Sequence, residues 1–135
     1  MISISIYKFI IMNTLGNIIW LFFGGILIAF LYVFFSILLI ITIIGIPFSV
    51  QTLKLAGFAL LPFGKKVIAT ESASGCISVI MNIIWIFTGG ISIAVSHLFL
   101  ALIFAVTIIG LPFANQHIKL AGLAIAPFGY RVVSD

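Results

Sequence analysis

Acidic residues are almost absent from this chain. Among its 135 residues only Glu71 and Asp135 carry a carboxylate side chain, and charged residues of both signs make up 6%. A soluble domain usually draws about a quarter of its residues from the charged types, so water is excluded as the main solvent. Acid–base catalysis lacks its usual groups, and no nucleophile elbow or phosphate loop occurs. The sequence therefore predicts that the protein is not an enzyme.

Cysteine is nearly absent as well. Cys76 is the only one, which excludes an intramolecular disulfide. His97 and His117 have no further histidine, cysteine or carboxylate at metal-ligand spacing beside them. We therefore expect neither a metal nor a cofactor.

The chain instead contains long runs of apolar residues. Hydrophobic residues make up 64%, and uncharged runs fill the intervals from Lys8 to Lys54 and from Glu71 to Lys119. A helix crosses the hydrocarbon layer with about 20 apolar residues, so each run can cross twice. The first run has no small-residue cleavage site, and we expect it to be a retained helix. The sequence predicts an integral membrane protein.

The net charge of +4 comes from basic residues at the ends of the apolar runs. This placement is typical of a cytoplasmic membrane face, where Lys and Arg also meet anionic headgroups. Membrane lipids are the expected partners, and nucleic acid is not.

The sequence contains one unit twice, 65 residues apart. The segments 17–67 and 82–132 align without a gap, and 27 of their 51 positions are identical. Three clusters hold most identities: "NIIW" with its later "GG", "TIIG" with "PF", and "KLAG" with "PFG". We interpret 1–135 as one membrane domain, with repeat 1 at about 6–67 and repeat 2 at about 73–132.

Each repeat has paired glycines near the middle of its uncharged region, at Gly24 and Gly89. A glycine pair suits either a hairpin turn or a close helix crossing. Two crossings per repeat place the basic ends of both repeats on one side, which the positive-inside rule favours. The sequence thus predicts an all-α fold with both termini cytoplasmic and four membrane helices: Ile6–Gly25, Ile26–Gly45, Gly75–Gly90 and Ile91–Gly110.

A second short helix follows each hairpin. Proline disfavours helical geometry in the residue before it and suits the first turn of a new helix, which predicts breaks at Gly45, Pro47, Gly110 and Pro112. The new helix, 47–61 in repeat 1, has a face of small residues and one narrow polar stripe. We expect it to lie in the membrane interface.

That polar stripe consists of a glutamine and a lysine three residues apart, Gln51 with Lys54 and Gln116 with Lys119. In one interpretation the lysines reach the headgroups while the small face packs. In the other, the amide groups at the helix start bind an anion or headgroup together with these side chains.

The first helix of each repeat also carries a polar face. Its members are spaced three or four apart: Asn13, Asn17 and Trp20 in repeat 1, and Ser78, Asn82 and Trp85 in repeat 2. Such a face either joins helices through hydrogen bonds or lines a polar path through an oligomer.

The repeated motifs resemble the YccF-type inner-membrane domain, a bacterial family in which this cassette occurs twice. The resemblance implies a multi-pass protein of the bacterial plasma (inner) membrane, and it implies no reaction. We expect a homo-oligomer that forms a channel or transporter for a small solute or ion, with anions favoured. The alternative is a non-transporting scaffold or accessory subunit that binds anionic lipid or another membrane protein.

Overall fold

A computed structural model describes residues 2–135 and shows six α-helices and two short strands within them. The helices are α1 Ile2–Trp20, α2 Ile26–Ile41, α3 Ile46–Leu60, α4 Cys76–Trp85, α5 Ile91–Ala105 and α6 Leu111–Ile125, and the strands are β1 Lys65–Ala69 and β2 Tyr130–Ser134. The order α-α-α-β occurs twice. The duplicated sequence has therefore folded into two copies of one unit.

The main helix pairs are α2 with α3 and α5 with α6. The chain reverses at the turn between α2 and α3, where Ser36 Oγ donates to Ser49 O at 2.9 Å. The prediction that each hairpin turns at its glycine pair is wrong. Gly24 adopts a φ of 117°, and the helical path bends there without folding back.

Contacts along α3 show why this is a bend. Asn17 contacts Phe63, Trp20 contacts Ala59 and Ser36 contacts Ser49, so α1 and α2 both run antiparallel to α3. A hairpin at Gly24 would have returned Ser36 to the level of α1. Because glycine suits a turn and a bend equally well, the dipeptide alone did not separate them.

Three helical stretches are long and apolar enough to cross a membrane, Ile2–Ile41, Ile43–Leu60 and Cys76–Ala105. The four predicted spans are not found. In repeat 1 the predicted interfacial helix is instead the second arm of the α2–α3 hairpin. This helix packs against α2 and α6, so its small-residue face is buried inside the protein.

The small-residue faces of α3 and α6 are buried. Ser49, Thr52, Ala56 and Ala59 are at most 4% exposed. Their counterparts on α6 are equally covered: Ala114, His117, Ala121 and Ala124. Small side chains let helix backbones approach closely, which is the usual source of attraction between helices in lipid.

The two strands correct the predicted all-α fold. β1 and β2 pair antiparallel, with Val67 opposite Val132. These two valines are equivalent positions in the repeats, so the pseudo-two-fold axis that relates the repeats passes between them. Both segments are rich in β-branched residues, which suit strands. The pairing joins residues far apart in sequence, so no local pattern indicated it.

The sheet also fixes the relation of the two basic ends. Ile68 faces Arg131, and Lys66 faces Val133, in the same two-stranded ladder. The basic ends of both repeats therefore lie together, at the end of the molecule that follows the C-termini of α3 and α6.

Candidate functional site

The polar face of the first helix is engaged with backbone groups. Asn17 Nδ2 donates to Phe63 O at 3.0 Å, and Asn17 Oδ1 accepts from Phe63 N at 2.9 Å. Trp20 Nε1 donates to Ala59 O at 2.7 Å. These bonds satisfy the backbone where α3 ends.

Repeat 2 has the same contacts. Asn82 bonds to both backbone groups of Phe128, and Trp85 Nε1 donates to Ala124 O at 2.7 Å. Asn13 lies against Gly64, and Ser78 is half-buried near the start of α4. The four Asn and Trp side chains thus join the first and third helices of each unit.

The breaks at Gly45 and Gly110 lie at the tips of the hairpins. The hydroxyl of Thr42 donates to Leu39 O at 2.9 Å and accepts from Gly45 N at 3.1 Å. Pro47 falls in the first turn of α3, and the corresponding Pro112 falls in that of α6. Ile44 at the tip is 84% exposed. A tip with apolar side chains and internally bonded backbone groups suits hydrocarbon.

The two predicted site lysines cross between the repeats. Lys119 Nζ donates to Pro62 O at 3.2 Å and to Lys65 O at 2.8 Å. Lys54 Nζ donates to Pro127 O and to Tyr130 O. Each ammonium group thereby satisfies carbonyls beyond the last turn of the other repeat's helix, where a cation is stabilising.

These positions are far from the helix starts that the anion-site interpretation invoked. Lys54 lies nine residues beyond Gly45, which is roughly 13 Å along a helix. Gln51 and Gln116 lie one turn nearer to the breaks. Their Oε1 atoms are buried and accept no hydrogen bond within residues 2–135. The structure thus does not bring the lysine ammonium groups to the amide groups of the breaks.

A cavity of about 610 Å³ lies between the α2–α3 hairpin and repeat 2. The hairpin lines it with apolar side chains such as Phe35, Leu39 and Phe48, and with the hydroxyl groups of Thr42 and Thr52. Repeat 2 contributes Trp85 and three further hydroxyl groups, at Thr88, Ser92 and Ser96. Their four-residue spacing places these hydroxyls on one face of the helical path. The sequence interpretation missed this stripe because it considered only residues that both repeats share.

The region related to this cavity by the pseudo-two-fold axis is filled with aromatic side chains. Three residues that line the cavity have a larger residue at the equivalent position of the other repeat. Phe23 is equivalent to Thr88, Phe104 to Leu39 and His117 to Thr52. Centroids of the Phe104 and His117 rings lie 5.5 Å apart. The hydroxyl stripe is lost there too, since Leu27 and Leu31 replace Ser92 and Ser96. The repeats have therefore diverged to leave space on one side only.

A smaller cavity of about 270 Å³ shares Phe35, Thr52, Ile93 and Ser96 with the first. Tyr32 and His97 also line it, with Tyr32 Oη 2.6 Å from His97 Nε2. These two residues are equivalent positions of the repeats, so they meet at the pseudo-two-fold axis.

His97 continues this contact to a second histidine. Its Nδ1 lies 3.0 Å from Nδ1 of His117, and all three side chains of the chain Tyr32–His97–His117 are buried. The sequence interpretation set both histidines aside because they depart from the repeat. That departure was the available signal, since residues at one repeat position meet when a two-fold axis relates the copies. Within residues 2–135, no three or more His, Cys, Asp and Glu side chains gather as a metal site requires.

The fold and these contacts define a multi-pass helical membrane protein built from two tandem copies of one unit. The YccF "Inner membrane component domain" matches residues 15–65 and again residues 80–130. The chain belongs to this family, and the duplication and the membrane class predicted from the sequence are confirmed.

Two curated proteins are similar to part of the chain. Each is described as "Inner membrane protein YccF", one from Escherichia coli (strain K12) and one from Shigella flexneri. Both are 38% identical over 69 residues, which is 49% of this chain and 47% of the relative. The match thus spans about half the length of these relatives. No solved structure matches the chain.

Proposed function

We propose that the protein carries a small polar solute across the inner membrane, with the 610 Å³ cavity as part of the path. The observation that carries the proposal is the asymmetry of the two repeats. One of two equivalent places is filled with aromatic rings, while the other is open and lined by hydroxyls. The hydroxyl side chains of Thr88, Ser92 and Ser96 are exposed to the cavity and not buried against another helix, which suits a solute path.

The hydroxyls indicate which solute fits. Thr88 Oγ1 donates to Ile84 O at 3.1 Å, and Ser96 Oγ donates to Ser92 O at 2.8 Å. The hydrogens of these two hydroxyls are used by the backbone, so both groups offer acceptor lone pairs to a guest. Lys54 and Lys119 already donate to carbonyls, which removes the main reason to favour an anion. We therefore propose a small solute that carries hydrogen-bond donors.

Assembly and orientation complete the proposal. Most large apolar side chains of α1, α2 and α5 are exposed in the single chain, which leaves wide surfaces for lipid and for further copies. We propose a homo-oligomer with the basic sheet in the cytoplasm, in line with the positive-inside rule. Asn13 lies beside Gly64, so α1 starts towards the same end, which supports the proposal that both termini lie on the cytoplasmic side.

Flux through purified protein in liposomes tests the proposal. With urea and glycerol as probes, we expect protein-containing vesicles to re-swell at least tenfold faster than empty vesicles in a stopped-flow light-scattering assay. Chloride flux, driven by a potassium gradient with valinomycin, is expected to stay near that of empty vesicles. Equal swelling with and without protein, in preparations where the oligomer is intact, would remove the proposed function.

A second candidate function rests on the basic end. A cleft of about 520 Å³ there combines Lys66, Lys119 and Tyr130 with apolar Ile118 and Leu123. An ammonium beside an apolar wall fits the headgroup and upper chain of an anionic phospholipid. In this role the protein is a scaffold or accessory subunit that holds lipid or a membrane partner.

Lipid retention distinguishes this second role. Under it, phosphatidylglycerol added in mixed micelles should remain bound in native mass spectrometry, in preference to phosphatidylcholine. We expect Lys66→Gln to reduce the retained phosphatidylglycerol several-fold, because the charge at the cleft is lost. Lys8→Gln removes an equal charge from α1, away from the cleft, and serves as the control. An equal loss of phosphatidylglycerol in both variants would show that retention depends only on the net charge of the protein, and it would count against the cleft as a lipid site.

A further inference from the structure

The cleft at the basic end of the molecule is formed by both repeats. Helix α6 of repeat 2 contributes Lys119, Gly122 and Ala126, and strand β1 of repeat 1 contributes Lys66 and Val67. The ammonium group of Lys119 also bonds to two carbonyls of repeat 1. A molecule held in this cleft would therefore contact both repeats at once.

The cleft is positively charged. Lys119 Nζ donates two of its three N–H groups to carbonyls, which leaves one for a guest. Lys66, which lines the same cleft, is exposed. The two strands carry Lys65, Lys66 and Arg131 and no acidic side chain, and Asp135 follows β2. A guest with a negative charge is thus favoured, and a phosphate group is a strong acceptor for ammonium donors.

The helical residues that line the cleft are small. Gly122 is exposed, and apart from its chain neighbours and the backbone of its own helix, no atom lies within 4 Å of the place where a Cβ would be. Ala126 follows one turn later. The related groove beside α3 has less room, because Leu61 is equivalent to Ala126 and Phe58 is equivalent to Leu123. The two repeats therefore differ in the space that they leave at the basic end.

An apolar stripe leads away from the cleft along α6. Ile125, Ile118 and Leu111 are spaced seven residues apart, which places them on one face of the helix. Their side chains are 39%, 52% and 49% exposed. The rise from one end of the stripe to the other is roughly 21 Å, which exceeds half of the roughly 30 Å hydrocarbon layer. The stripe is thus long enough for an acyl chain of one leaflet to lie along it.

We propose that the cleft binds one anionic phospholipid per chain and that this lipid fastens the two repeats together. The phosphate lies at Lys66 and Lys119, the glycerol lies over Gly122 and Ala126, and one acyl chain follows the stripe of α6. A basic cleft that opens onto an apolar stripe suits a phospholipid better than an acidic peptide, because a lipid uses both surfaces.

This inference rests on the second candidate role, which is the retention of anionic lipid at the basic end. It adds the position of the lipid, the number bound and a consequence for stability. The lipid contacts α6 and β1, which come from different repeats, so unfolding must release it. A ligand that binds only the folded state raises the stability of that state.

Ala126→Leu tests the position of the lipid without changing a charge. Ala126 has φ −143° and ψ 74°, and the equivalent Leu61 has φ −137° and ψ 74°, so leucine suits this backbone. We expect the variant to retain phosphatidylglycerol several-fold less well than wild type in native mass spectrometry from mixed micelles. The reason is that the added side chain fills the place of the glycerol. Gly122→Leu should have the same effect.

Ala105→Leu is the matched control. Ala105 is exposed at the end of α5 and does not line the cleft, so this variant adds the same side chain at another place on the surface. We expect it to retain one phosphatidylglycerol per chain, as wild type does. Two lipids retained equally per chain would overturn the single site.

Thermal unfolding in detergent provides a second measurement and shows whether the variants fold. Without lipid, all three variants should unfold close to the midpoint of wild type. Added phosphatidylglycerol should raise the midpoint of wild type and of Ala105→Leu, and phosphatidylcholine should not. Ala126→Leu and Gly122→Leu should show no such rise.

The outcomes separate the lipid position from the role on which it rests. If wild type showed no preference for phosphatidylglycerol, both would be overturned. If Lys66→Gln lost phosphatidylglycerol while Ala126→Leu and Gly122→Leu kept it, the proposed position would be wrong and the second role would stand. Phosphatidylglycerol that binds in the expected pattern without raising the midpoint would overturn the fastening of the repeats.

Discussion

Urea flux falls at least tenfold, we expect, when Ser92 and Ser96 are both replaced by leucine. These substitutions restore the residues of the packed half, where Leu27 and Leu31 occupy the same positions. Two leucines fill part of the 610 Å³ cavity and remove two acceptors from its wall. Both serines are exposed to this space, so the variant should fold and should be measured in the same swelling assay.

The matched control for this variant is Thr14→Val. The hydroxyl of Thr14 donates to Ile10 O at 2.8 Å, the same kind of bond that Ser96 makes, but it lies on α1 away from the cavity. We expect the control to retain the flux of wild type. If the double leucine variant also retained it, the solute would not pass between Ser92 and the α2–α3 hairpin, and the proposed path would be wrong.

Replacing Gly45 by alanine has the largest expected effect on stability. A Cβ atom there would meet Leu39 O and Thr42 Oγ1 at distances that real contacts do not show. Because the obstacles are the backbone and the capping hydroxyl of the hairpin tip, they cannot move aside without opening the turn. Overpacking of this kind typically costs roughly 1–3 kcal/mol, and we expect the upper part of that range. Thermal unfolding in detergent measures the change.

Gly57→Ala provides the control within the same helix. Apart from the chain neighbours and the backbone of the same helix turn, no atom lies within 4 Å of the Cβ that this change adds. Alanine in a helix interior is favoured over glycine by roughly 0.5–1 kcal/mol, so stability should stay the same or rise slightly. Gly110→Ala and Gly122→Ala repeat the comparison in repeat 2. Equal effects at the turn and in the helix interior would show that the tip is not packed as described.

Local sequence signals are strongest at the predicted helix breaks. A Gly followed two residues later by a Pro, at the end of a long apolar run, is compatible with few structures other than a helix break. The turn between α2 and α3 lies at Gly45. The glycine pair was different, because Gly24 is compatible with a turn and with a bend. The contact of Ser36 with Ser49 decided between them, and no residue spacing within one helix reveals such a contact.

The site was harder to predict for a related reason. The predicted site residues Asn17, Trp20 and Lys54 are positions that the repeats share, and all three bond to backbone carbonyls. The residues that open the cavity, such as Thr88 and Ser92, and the Tyr32–His97 contact instead occupy positions at which the repeats differ. A two-fold relation between the copies brings equivalent positions together, and this relation became visible only through the pairing of the strands.

The central claim is that both repeats share one orientation in the membrane. The most direct test is to find from which side of the membrane each of two single cysteines can be labelled. Cys76 is exposed at the start of α4, and Ser134→Cys in a Cys76→Ser background places a thiol at the end of β2. With a membrane-impermeant maleimide, we expect both thiols to react in inside-out vesicles and neither to react in intact spheroplasts. Reaction of the two thiols from opposite sides of the membrane would contradict the common orientation, and with it the single cavity between the repeats.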